Sequence, residues 1–305
     1  MNSNEKCLLA PMEPRNTRLD DNRNGCPLCG SVYSDRVFKL KTWARYTIER
    51  CRDCDFVHAA PRPAPEDLER FYTSGYFRRN EETGLGYADY RSMAELNARR
   101  MWHDLRSYMP SHETGSRRLL DVGCATGGFM SEAQADGWNC TGVELSEYAV
   151  SVARNEFHLN VMQGDIFLDA LQGNLFSLIT MWHVLEHVID PVRTLKRAYS
   201  LLEPGGMLFV ELPNWGSLGR RIRGKHWGQL KPPEHINYFT PETLSRAALE
   251  TGFRVSRISS EYPSLVNEAA VRRWSRPLHQ GRAMIASLAC KFGGGGYARL
   301  LAERV

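Results

Sequence analysis

No run of apolar residues in this 305-residue chain approaches the ~20 needed to cross a bilayer as a helix, which argues against a membrane-spanning segment. The opening stretch, MNSNEKCLLAPMEPRN, lacks the apolar core of a secretory signal, so a cytoplasmic protein is expected. An excess of either charge is also missing. Lys plus Arg number 39 against 35 Asp plus Glu, and a net +4 without local clustering is too little to serve as a nucleic-acid footprint. No internal repeat is visible. What is present is 42% apolar and 24% charged residues, the composition of a folded chain with one large domain, or one domain plus a small module. Four of its eight cysteines fall in two tight pairs, which suggests a reduced metal site rather than a disulfide framework.

Residues 1–22 carry almost no periodic apolar pattern and read as a disordered tail. Residues 23–60 hold Cys26-Pro-Leu-Cys29 and Cys51-Arg-Asp-Cys54, with strand formers such as Val37, Phe38, Tyr46 and Ile48 between them. So short a segment cannot bury a stable core and needs a staple. Two Cys-x-x-Cys knuckles bring four thiolates to one tetrahedral ion, and Zn²⁺ with ~2.3 Å bonds suits them. Four sulfurs leave no open position, so Cys26, Cys29, Cys51 and Cys54 are expected to form a structural site. Pro61, Pro63 and Pro65 then mark a linker, and residues 61–110 read as that linker followed by a helical cap.

From residue 111 to 262 the rhythm becomes βαβ. Strands are expected at 118–122, 140–144, 175–182 and 207–212, and helices at 128–136, 147–157 and 191–202. A helix over 241–252, with Thr240 as its N-cap, leads to a strand over 253–259. The alternation predicts an α/β domain, a Rossmann-like doubly wound parallel sheet covered by helices on both faces. A closing antiparallel strand is not evident, and the apolar run 284–290 is one candidate for it. Residues 213–239 form a long insertion with Arg220, Arg221, Arg223 and Lys225 and no acid between Trp215 and Lys231. Residues 263–305 read as a basic C-terminal extension.

Small residues fill the turn Asp121-Val-Gly123-Cys-Ala125-Thr-Gly127-Gly128, where strand passes to helix at the switch point of such a sheet. Glu144 ends the next strand, where a carboxylate can accept ribose hydroxyls. Asp165, after Gly164, ends a third. These three acids would line one edge of the sheet. His183-Val-Leu-Glu186-His187 adds side chains at i, i+3 and i+4. His-x-x-Glu-His also matches a zinc peptidase signature, a reading excluded by its place after a strand at the ligand edge.

Together with Leu202-Glu-Pro-Gly-Gly206, these segments resemble a class I S-adenosylmethionine-dependent methyltransferase over about residues 115–260. The preceding cysteine pairs and Pro-Arg-Pro linker resemble a subset with an N-terminal zinc-binding module, associated with sugar, polysaccharide or secondary-metabolite methylation. The resemblance implies S-adenosylmethionine as methyl donor. It places Asp121 in the cofactor-binding set, Gly123 and Gly127 against the methionine part, Glu144 on the ribose, Asp165 on the adenine amino group and the backbone of Trp182 and His183 beside the sulfonium. Ala125 departs from the pattern, which often has glycine there.

Methyl transfer to a hydroxyl needs an in-line oxygen and a group to take its proton, and His187 and His235 are the candidates. The helix motif with His235 added is also similar to that of methyltransferases that hold a divalent ion, with His183 in place of a glutamate. The expected acceptor is a hydroxyl of a carbohydrate-containing or other small metabolite. The basic insertion would suit a phosphate-bearing sugar or lipid-linked glycan, and Tyr72, Tyr76, Phe77, Trp215 and Trp227 a sugar-stacking wall. The alternatives are a quinone or aromatic O-methyltransferase, and a zinc and basic RNA- or protein-binding module without methyl transfer.

Overall fold

The computed structural model describes residues 25–40, 45–64, 91–109, 116–261, 290 and 293–305. A seven-stranded sheet dominates, in the spatial order β10 (Phe253–Glu261), β11 (Tyr297–Arg304), β8 (Leu202–Pro213), β7 (Phe176–Trp182), β4 (Arg118–Val122), β5 (Asn139–Glu144), β6 (Asn160–Gln163). Neighbours from β6 to β8 run parallel, and β11 lies antiparallel to both β8 and β10. The order reverses at β4, between β5 and β7, so a crevice opens at the carboxyl ends of these strands.

The closing strand is therefore β11. The candidate at 284–290 does not fill that role, and residues 284–289 lie outside the described residues, as do Arg272, Arg273, Arg276 and Arg282. Nor are residues 297–304 an extension. Ala298, Leu300 and Ala302 are fully buried in the main core, because the strand is covered on both faces.

Helices α1 (Arg91–Tyr108), α2 (Gly128–Ala135) and α3 (Glu147–Asn155) cover one face, where Leu105, Phe129, Ala133 and Ala153 meet Leu119 and Leu178 of the sheet. Helices α4 (Pro191–Leu201) and α6 (Pro241–Glu250) cover the other through Leu195, Ala198, Leu244 and Ala247. Their starts follow local chemistry. Asp190 accepts the Arg193 N–H ahead of Pro191, and Thr240 and Thr243 form a reciprocal capping box. Of the helical cap expected within residues 61–110, the structure describes only α1. No helix among the described residues is long and apolar enough to cross a membrane.

The cysteine segment forms a second sheet of β1 (Ser34–Lys39), β2 (Thr47–Cys51) and β3 (Val57–Ala60), which a strand from the larger domain completes. That strand, β9 (Asn237–Tyr238), pairs antiparallel with Val57 and His58. The insertion at 213–239 is thus ordered, with α5 (Leu218–Arg223), a 3₁₀ turn at Gly224–His226 and β9. Phe56 packs on Phe239 at 4.7 Å, and Trp215, Trp227 and Tyr238 pack with Ile48 and Ala59. The small module shares its core with its neighbour on both sides of its sheet.

Candidate active site

The residues expected at the crevice edge sit at, or just beyond, the carboxyl ends of parallel strands. Gly123 (φ 71°) and Gly127 (φ 83°) turn the chain out of β4, and an added Cβ at Gly127 would stand 2.3 Å from Leu159 Cδ1. Ala125 between them is also left-handed, at φ 48°, which explains why glycine suits this position. Its N–H donates to Glu144 Oε2 at 3.0 Å, and the Ser146 N–H donates to Oε1 at 2.8 Å. Glu144 is buried, which raises its carboxyl above the ordinary range, while the backbone N–H groups oppose that rise. Each oxygen retains a lone pair for one further hydroxyl donor.

Asp165 is exposed beyond β6, with Oδ1 accepting the Phe167 N–H at 2.8 Å, and the Gly164 N–H donates to the Glu144 carbonyl at 2.9 Å. Asp121 differs. It is buried and accepts the Thr180 hydroxyl at 2.7 Å, and burial, helped by the charge of Glu144, pushes its pKa up to about 7. Its carboxyl braces β4 against β7. Trp182 is buried too, its ring 4.7 Å from Phe209 and 5.3 Å from Phe129, so its side chain belongs to the core under α2.

After β7 the chain turns left-handed at His183 (φ 56°). Its Nδ1 lies 3.2 Å from Glu186 Oε1 and its Nε2 3.5 Å from Glu211 Oε1. Burial opposes a charge on this ring, but the two carboxylates prevail and raise its pKa to about 10. The ring rests 5.0 Å from that of Tyr297. Glu211 in turn binds Arg299, which reaches Asp104 of α1 at 3.1 Å.

His187 and His235 face each other with ring centroids 4.6 Å apart, nearly perpendicular. His187 Nδ1 donates to the Glu234 carbonyl at 2.9 Å, a tautomer that leaves the lone pair on Nε2, 3.8 Å from Glu186 Oε1. Burial lowers the pKa of both rings, that of His235 well below the usual histidine range. Glu186 is buried, and its Oε2 has no hydrogen-bond partner. Ligand atoms of Glu186, His187 and His235 lie within 4.8 Å of one another, a group that could hold a divalent ion. His183 is not part of that group.

Away from this crevice, Cys26 Sγ lies 3.5 Å from Cys54 Sγ and Cys29 Sγ 3.6 Å from Cys51 Sγ, all four within 4.8 Å of one another. A tetrahedron with ~2.3 Å Zn–S bonds has edges of about 3.8 Å, so the four sulfurs fit zinc.

A methyltransferase-domain profile matches residues 93–258 of the chain. The chain belongs to the methyltransferase-domain family. The fold and the strand-end acids agree, and the protein is an S-adenosylmethionine-dependent methyltransferase. The ubiquinone biosynthesis O-methyltransferase of Aromatoleum aromaticum is 27% identical over 205 residues, 56% of this methyltransferase and 84% of that protein. Its counterpart in Coxiella burnetii (strain RSA 331) is 32% identical over 170 residues, 52% of this chain and 72% of the relative. Among solved structures, a magnesium protoporphyrin IX methyltransferase from Synechocystis PCC 6803 with bound SAH aligns with TM-score 0.51 and 16% identity, covering 79% of this chain and 99% of that one. A methyltransferase from Thermotoga maritima, described as a possible histamine N-methyltransferase, aligns with TM-score 0.50 and 18% identity, covering 72% and 94%. Both show the fold.

Sequence reading missed Glu211, Arg299, Asp104, Glu234 and Tyr297. Glu211 alone carried a signal, a carboxylate inside the apolar strand Phe209-Val-Glu-Leu212.

Proposed function

We propose that this methyltransferase transfers the methyl group of S-adenosylmethionine to a ring hydroxyl of a small phenolic or quinol acceptor, with a structural Zn²⁺ on Cys26, Cys29, Cys51 and Cys54. S-adenosylmethionine supplies an electrophilic methyl on a sulfonium sulfur. Glu144 would hold its ribose, Asp165 its adenine amino group, and the turn Gly123–Gly127 would lie along its methionine part, with the backbone at Trp182 and His183 beside the sulfur. His187 would take the acceptor proton at Nε2, with His235 beside it.

The observation that carries this reading is the 2.9 Å bond from His187 Nδ1 to the Glu234 carbonyl, which makes Nε2 the basic nitrogen. Burial keeps that imidazole a weak base. A weak base suits a phenol, with a pKa of about 10, better than a sugar hydroxyl near the ~15.7 of water. The two relatives, named for ubiquinone biosynthesis, support the ring acceptor. Of the expected sugar-stacking wall, Trp215 and Trp227 are buried in the module's core, and Tyr72, Tyr76 and Phe77 lie outside the described residues. Arg220 is likewise engaged, donating to the Trp215 carbonyl at 2.8 Å.

The buried, unpartnered Oε2 of Glu186 favours a second arrangement of the same site, with a divalent ion on Glu186, His187 and His235. That ion would lower the pKa of the acceptor hydroxyl, and the histidines would be ligands rather than bases. The test is S-adenosylhomocysteine release with 3,4-dihydroxybenzoate against a nucleoside-diphosphate sugar, before and after chelation. Turnover of the diphenol supports the ring reading, and turnover of the sugar alone contradicts it. Loss on chelation, restored by Mg²⁺ or Zn²⁺, selects the metal arrangement.

A further inference from the structure

Arg62 stands in the Pro-Arg-Pro stretch after β3, 5% exposed, with its guanidinium directed into the larger domain. Nη1 donates to the Ile236 carbonyl at 2.9 Å and to Asn237 Oδ1 at 2.8 Å. Nη2 donates to the Val188 carbonyl at 3.2 Å and the Ile189 carbonyl at 2.6 Å. Val188 directly follows His187, and Ile236 directly follows His235. One planar group from the cysteine module therefore joins the two chain segments that carry the facing imidazoles.

The rest of the junction depends on the same segments. Asn237 donates through Nδ2 to the carbonyls of Leu185 and Val188, both at 2.7 Å. The N–H groups of Ile236 and Asn237 donate to the Glu186 carbonyl, and the Ala59 N–H donates to the Ile236 carbonyl at 3.0 Å. All of Arg62's acceptors here are neutral, and the acidic groups that act on it are Cys26, Asp190 and Tyr238. A buried guanidinium that spans four neutral acceptors has a fixed direction, set by its fork of donors, and a lysine could not reproduce it. Its cost of burial is met only when both segments are in place.

We propose that Arg62 is a positioning residue for methyl transfer, which sets the separation of the His187 and His235 rings by tying Val188 and Ile189 to Ile236 and Asn237. The four-cysteine module is then part of the active-site frame, since Arg62 leaves its last strand and β9 completes its sheet. This rests on the reading that the two histidines act on the acceptor, as bases or as ligands. Displacement of a reacting group by 1 Å can cost about 100-fold in rate, so a loosened clamp has a large kinetic consequence.

The test compares the full-length protein with Arg62→Gln and, should that variant fail to fold, Arg62→Lys, which keeps the charge and loses the fork. Three quantities are read: S-adenosylmethionine affinity by calorimetry, the ¹⁵N imidazole resonances of His187 and His235, and kcat with 3,4-dihydroxybenzoate as probe. The proposal expects affinity within two-fold of the parent, shifted resonances at both rings and kcat lower by about 100-fold. Millimolar guanidinium ion should restore part of kcat in Arg62→Ala. Unmoved imidazole resonances in a folded Arg62 variant overturn the positioning of the rings. So does a loss of S-adenosylmethionine affinity in step with kcat, which is the mark of general destabilisation. Unaltered kcat in His187→Gln and His235→Gln would instead overturn the histidine reading, a failure distinct from the first.

Discussion

Oε1 of Glu186 lies 3.2 Å from Nδ1 of His183, and Glu211 approaches the other nitrogen of the same ring at 3.5 Å. A histidine between two buried carboxylates holds its proton and cannot serve as a base. Folding raises its pKa from the ordinary 6.5 to about 10. The stabilisation is therefore complete below pH 6.5 and is lost as pH rises through about 10. The midpoint of thermal unfolding should fall between pH 7 and 10, and His183→Gln should flatten that slope. An unchanged slope would show that another group titrates.

For His187 and His235 the sign is opposite. Burial lowers both pKa values, so the rings stay neutral below the usual histidine range. The kcat profile should accordingly hold its plateau to below pH 6.5. His187→Ala should reduce kcat by about 100-fold, the low end for acid–base catalysis, because the sulfonium is itself a strong donor. Steady-state kinetics with 3,4-dihydroxybenzoate, alongside the S-adenosylmethionine KM, checks both statements.

The cysteine module should not be separable. Cys51→Ser is expected to lose one zinc per chain and to lower the unfolding midpoint by roughly 10 °C, each kcal/mol being worth ~2–4 °C at this size. Because β9 pairs with β3, the loss should reach His235, and kcat should fall in the fraction that remains folded. Metal analysis with differential scanning calorimetry gives the answer, and an unchanged midpoint would make the module dispensable.

Ala125 holds a left-handed backbone, at φ 48°. An L-residue there costs about 1–2 kcal/mol, offset in part by the greater chain entropy that glycine loses on folding. Ala125→Gly should stabilise the protein by about 0.5–1 kcal/mol in urea unfolding, with the cofactor site retained. Destabilisation would mean that the alanine methyl packs usefully.

The parallel half of the sheet is legible in the sequence because the apolar stretches of β4 and β7 and the glycine-rich turn after β4 alternate with helical patterns. The acids Glu144 and Asp165 are legible because Glu144 ends β5 and Asp165 follows β6 after Gly164. Tyr297–Arg304 is not, since a strand buried on both faces shows no alternation, and the glycine run at 293–296 reads as a break. The junction at Arg62 is hidden for a different reason. Three of its four acceptors are backbone carbonyls 126 to 174 positions away, and a carbonyl leaves no trace in residue identity. Likewise Glu234 meets His187 through its backbone rather than its side-chain type.

The most direct measurement is calorimetric titration of S-adenosylmethionine into the zinc-loaded protein, into Glu144→Ala and into Asp165→Ala. Micromolar affinity in the parent, weakened at least ten-fold in each variant by loss of ~1.5–3 kcal/mol per charged hydrogen bond, is the expected result. Unaltered affinity in both variants would contradict the assignment of the cofactor to the edge formed by β4, β5 and β6.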